Sequence, residues 1–197
     1  MRKYLLLILI VVFSSSFGQE TLDAKIITNE NDTLKVKIKV VSNMFDPDLL
    51  YVTSFNTKVT VVGQDGEKTK IEAPAIKKLS LVDYKGKERN FINNSQDKKA
   101  LREVLFSGDN LDWYRAYNSI TGGENSSDFL FNRITKQEIG VGYFTGLPKK
   151  KLIKFMSDVP EMEEFIKSFK ASEYFGYETE YMLKIVEKYE AYKKLKN

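Results

Sequence analysis

The chain has 197 residues, 31 Lys or Arg against 27 Asp or Glu, and neither histidine nor cysteine. Those two absences exclude Ser-His-Asp hydrolysis, cysteine nucleophiles, zinc sites of His/Cys type and haem held by either residue, and they leave the fold to be held by its core without disulfides. The net charge of +4 is small, and it gives no case for a nucleic-acid partner.

The chain opens Met1-Arg2-Lys3, runs without a charge from Tyr4 to Phe13, and continues Ser14-Ser15-Ser16-Phe17-Gly18. A basic start, an apolar stretch and a small-residue exit are the three parts of a secretory signal peptide. A membrane anchor is the weaker alternative, because a stable span needs about 20 apolar residues. Cleavage after Gly18 predicts a mature chain starting at Gln19 and places it in the periplasm, at the outer-membrane periphery or outside the cell. No cysteine follows the apolar stretch, so a lipid cannot be attached through an N-terminal cysteine. No later segment is long and apolar enough to span a membrane as a helix.

From about Asp23 to Tyr143 the pattern is that of short strands. Leu34, Val36, Ile38 and Val40 alternate with Lys35, Lys37 and Lys39, a period of two that turns one apolar face inward and one lysine face outward. The turn-rich Asn29-Glu30-Asn31-Asp32 joins this strand to Ala24–Thr28. A second hairpin runs Lys58–Val62, Gly63-Gln64-Asp65-Gly66, Lys68–Glu72, and Pro74 ends it because proline cannot donate to a ladder. Ile76–Val82, Glu88–Ile92, Leu101–Phe106, Leu111–Tyr117, Asp128–Ile134 and Ile139–Phe144 follow, separated by turn signals. Many short strands at this spacing predict a mainly β (α+β) fold with an antiparallel sandwich or small barrel.

After Pro148 the period changes, and two or three C-terminal amphipathic helices are expected. Leu152, Ile153, Phe155 and Met156 fit one helix face. Asp158 and Glu161 have capping-box spacing. Met162, Phe165, Ile166 and Phe169 form a stripe at i, i+3, i+4 and i+7. This stripe is expected to pack on the β body, so that losing the Phe165 ring costs about 3–5 kcal/mol. Tyr181, Met182, Ile185, Tyr189 and Tyr192 mark the last helix. The expected organisation is a signal peptide over 1–18, a β-rich body over 19–147 and a helical region over 148–197.

The opening hairpin Ile27-Thr28-Asn29 through Asp32-Thr33-Leu34-Lys35-Val36-Lys37-Ile38, the central Val104-Leu105-Phe106-Ser107-Gly108 followed by Leu111 and Tyr114, and Leu152–Met162 with Asp158 and Pro160 resemble an uncharacterised family of exported Bacteroidetes proteins. The likeness covers most of the mature chain through loose motifs. It implies export and the strand-then-helix layout, and it carries over no activity and no site residue.

The remaining chemistry rests on carboxylates and aromatics. Asp46-Pro47-Asp48 and Asp109-Asn110-Leu111-Asp112 are the densest acidic loops. Asp46, Asp48, Asp109 and Asp112 are therefore the metal candidates, for calcium, which takes six to eight oxygens. Asp46-Pro47-Asp48 is more simply a turn. A glycosidase would need two acids brought together from distant loops. Gly140–Gly146 is glycine-rich but lacks the strand-turn-helix setting of a phosphate cradle. Trp113, Tyr114 and Tyr117 are the ligand-binding candidates. Trp113 and Tyr117 share a strand face and Tyr114 points the other way. Core packing is the favoured reading of all three. No cofactor and no catalytic residue is expected. The reading that fits best is a non-enzymatic envelope protein that binds another envelope protein or a polymer. The alternatives are a β-barrel carrier of a small apolar ligand or glycan, and a carboxylate hydrolase.

Overall fold

Alternating apolar and lysine side chains set the first hairpin. In a computed structural model of the protein, which describes residues 21–43, 46–94, 98–142, 146–174 and 176–196, β1 (Thr21–Thr28) pairs antiparallel with β2 (Thr33–Lys39). The expected signal peptide and its cleavage site lie outside the described residues, as does Phe144. The register sets Ala24 opposite Val36 and Ile26 opposite Leu34 on the inward face, and Lys25 opposite Lys35 on the outward one. Asn31 turns the chain with φ 69, a left-handed conformation that asparagine tolerates.

The strands that follow are β3 (Val41–Ser42), β4 (Leu50–Tyr51), β5 (Lys58–Val62), β6 (Lys68–Glu72), β7 (Ile76–Val82), β8 (Glu88–Ile92), β9 (Arg102–Ser107), β10 (Leu111–Ile120), β11 (Gly123–Asn132) and β12 (Glu138–Val141). β3 and β4 form a two-stranded ribbon. The others form one ten-stranded antiparallel sheet in the order β12-β11-β10-β9-β8-β7-β1-β2-β5-β6. Pro74 sits in the 3-10 turn Ala73–Ala75 that ends the β5–β6 hairpin. β10 and β11 run longer than expected, because the hairpin turns at Thr121-Gly122 and pairing continues to Ile120 opposite Gly123.

The inward face carries two apolar clusters. One gathers Ile26, Ile38, Val59, Leu79 and Phe91 beneath Val52 and Phe55 of the 41–57 segment. The Phe55 and Phe91 rings meet edge to face at 5.2 Å. The other joins Leu111, Trp113, Leu130 and Val141 to the C-terminal helices. These are α1 (Lys149–Phe155), α2 (Glu161–Ser168), α3 (Ala171–Tyr174) and α4 (Glu178–Lys196). Leu152, Met156, Met162, Ile166, Met182, Ile185, Val186 and Tyr189 are buried against the sheet. The β-rich body followed by helices is therefore the fold. The expected cap at Asp158 is not made: α2 begins after Pro160 with no side-chain cap. The Asp158 carboxylate instead accepts the Tyr189 hydroxyl at 2.8 Å and the Lys193 ammonium at 3.1 Å.

One buried carboxylate ties the last helix to the sheet. Glu190 accepts the backbone N–H groups of Asn110 and Leu111 at 2.9 and 2.7 Å and the Asn110 side-chain amide at 2.8 Å. Gly108 makes room for it, since a Cβ there would meet Glu190 Oε1 at 2.4 Å.

Candidate functional site

Pairing of four successive strands, β8 to β11, brings a charged seam onto the inward face between the two apolar clusters. Phe91 lies opposite Glu103, Glu103 opposite Arg115, and Arg115 opposite Asp128, so these side chains share one face. Arg89 grips Glu103 through two hydrogen bonds of 2.9 and 2.6 Å, and its guanidinium also donates to the Tyr117 hydroxyl at 2.9 Å. Tyr117 in turn donates to Glu103. Burial by itself would raise the Glu103 carboxyl, but the hydrogen bonds and charge of Arg89 hold it below the usual carboxylate range. Burial and the neighbouring Glu103 charge push the Tyr117 phenol up. Arg115 binds Asp128 through bonds of 2.6 and 2.9 Å, and Trp113 Nε1 donates to the same carboxylate at 3.0 Å. These carboxylates are engaged by cations in place, an arrangement that fixes the sheet's inward face rather than presenting a free acid and base.

The sequence candidates fall in separate places. Trp113 is buried in the helical cluster, Tyr117 belongs to the seam, and Tyr114 is buried on the opposite face. Burial, followed by hydrogen bonding to Asp112, raises the Tyr114 phenol. Asp112 is buried and takes two hydrogen bonds from Arg133, at 2.7 and 2.6 Å, and one from Ser107 at 2.8 Å. Asp109 is exposed, 3.7 Å from Lys194. The structure thus parts Asp109 from Asp112. Asp46 lies at an exposed turn 3.5 Å from Lys85, and Asp48 is exposed beside it. Among the described residues no group of three acidic side chains is set to hold a metal. Sequence reasoning missed the seam, although one signal was present. Glu103 shares strand parity with Leu101, and Asp128 with Leu130, so both place a charge on an apolar face.

The outward face has the opposite character. Register and alternation put Lys68, Lys70, Lys58, Lys35, Lys37, Lys39, Lys25 and Lys78 on the outward side of β6-β5-β2-β1-β7. The acids on that side are Glu72, Asp23 and, one strand further on, Glu88. Lys58 is paired with Glu72 at 2.9 Å. A groove of about 940 Å³ at these strands is lined from both sets of side chains, by Val36, Val61 and Leu81 of the inward set and by Lys25, Lys35 and Val82 of the outward one. Among the described residues no helix is long and apolar enough to cross a membrane. Compared with family models, with curated proteins and with solved structures, the chain matches none.

Proposed function

We propose that this is an exported envelope protein that binds a partner, another envelope protein or a polymer, without doing chemistry on it. The observation that carries this reading is the contrast between the two faces of one sheet. The carboxylates of the inward seam are spent on arginine, tryptophan and tyrosine, while the outward face presents a field of lysines. Fixed internal ion pairs make a rigid platform, and an exposed field of one sign serves recognition. The leader-like first 18 residues support the export half of the reading. A carrier of a small ligand is the second reading. Its support is the groove, whose volume of about 940 Å³ is that of a small-molecule site.

The test is isolation of the native protein from the cell envelope, with N-terminal analysis of the chain and mass spectrometry of what accompanies it. A start at Gln19 and one enriched macromolecular component are expected. A retained Met1 would sink the export half. A bound small molecule with no macromolecule would favour the carrier.

A further inference from the structure

We propose that the outward face of β6-β5-β2-β1-β7 binds a linear anionic polysaccharide through its lysines. The proposal rests on the envelope-binding reading and names the class of partner. Eight lysines stand against three acids on this side of the sheet, in a chain whose net charge is only +4. The patch spans five strands, roughly 19 Å at about 4.8 Å per step. Along β2, Lys35, Lys37 and Lys39 recur every roughly 7 Å.

Two of these charges are placed against the interest of the fold. Lys25 lies directly opposite Lys35 in the β1–β2 ladder, and like charges in that position destabilise a sheet. A bound polyanion removes that repulsion. An arrangement that costs the free protein stability and is relieved by a ligand is the pattern expected of a binding surface.

The residue types choose among polyanions. Lysine is a point charge on a flexible stem, suited to many anionic groups and selective for none. Neutral sugars and single-stranded nucleic acids are held by aromatic stacking, and the outward residues of these five strands are lysine, threonine, serine, aliphatic and acidic side chains. A bilayer surface is gripped by apolar side chains inserted among the cations. Here Val82 is the one large apolar side chain more than half exposed. Acidic peptides gain specificity from side-chain pockets or from pairing with a strand edge. β1 and β7 are paired on both sides, and the one edge of this surface is the short strand β6, whose Lys68 and Lys70 blunt it against strand addition. A polymer with a repeating charge needs only a repeating countercharge.

The experiment is titration calorimetry of the mature protein with polygalacturonate, dextran, poly-glutamate, single-stranded polydeoxythymidine and phosphatidylglycerol vesicles at two salt concentrations. Polygalacturonate is expected to bind, to weaken as salt rises, and to bind more tightly than the other four. Lys35→Glu with Lys37→Glu should weaken it at least roughly tenfold. Lys35→Glu alone should raise the Tm of the free protein while weakening binding, a combination that a misfolded variant cannot produce. Equal binding of dextran, tighter binding of poly-glutamate, polynucleotide or vesicles, or full affinity in the double variant would overturn the proposal. Absence of binding to polygalacturonate would overturn it as well, and the envelope-binding reading would then stand or fall on the material isolated with the native protein.

Discussion

Glu103 and Arg89 are the clearest case of a charge that the fold has had to accommodate. Their side chains are 3 % and 10 % exposed, so removing one leaves the other buried without its partner, at a cost of about 3–5 kcal/mol. The Glu103 carboxyl is held below its ordinary value by Arg89. A depressed carboxyl contributes stability that is fully present above its unfolded pKa of about 4.3 and is lost as pH falls through the native value. Chemical denaturation of the wild type and of Glu103→Gln should therefore differ most near neutral pH and converge below about pH 4. A gap that stays constant down to acid pH would show that the pair contributes through packing alone. Gly108 and Glu190 make a second test. Gly108→Ala should cost about 1–3 kcal/mol by overpacking. Most of that cost should vanish in a Glu190→Ala background, since the added methyl then meets a space.

At the scale of elements, hairpins were the most legible feature. Lys58–Val62, Lys68–Glu72, Ile76–Val82 and Glu88–Ile92 have the bounds that alternation and turn residues predict. The reason is that each pairs with a close neighbour in sequence, so local chemistry contains the answer. The helical stripe was right in place and wrong in emphasis. Met162 and Ile166 are fully buried, whereas Phe165 is half-buried in a surface stack with Phe169 and Tyr181, at 4.9 Å for each ring pair. The expected cost of about 3–5 kcal/mol therefore moves from Phe165 to its neighbour. Ile166→Ala should lose about 2–5 kcal/mol and Phe165→Ala distinctly less, as measured by urea midpoints at unchanged slope. Equal losses would mean that the stack is as important as the core. Periodicity assigns a residue to a face, but it does not say where that face ends.

The whole molecule was legible only in part. Export and envelope binding are proposals, resting on a leader-like segment and a charged face. The seam needed the tertiary pairing of β8, β9, β10 and β11. A one-residue shift between β9 and β10, at Trp113/Tyr114, also changes which β9 residues share the inward face. Two junctions of the sheet join strands that are not consecutive, β2 against β5 and, further apart in sequence, β1 against β7. From β7 to β12 every strand lies beside its successor, and such local pairings close quickly. β1 leaves the ribosome roughly fifty residues before β7, a wait of several seconds at about 5–20 residues per second. Throughout that wait the first hairpin has a bare strand edge, the kind of template on which nascent chains aggregate. Lys25, Lys35, Lys37 and Lys39 give any second copy of that hairpin the same sign of charge. Like charges at such an edge are the device by which sequences guard exposed strands against self-association. Replacing those lysines with uncharged residues would spare the finished sheet its repulsion and would be felt instead as a lower yield of soluble chain.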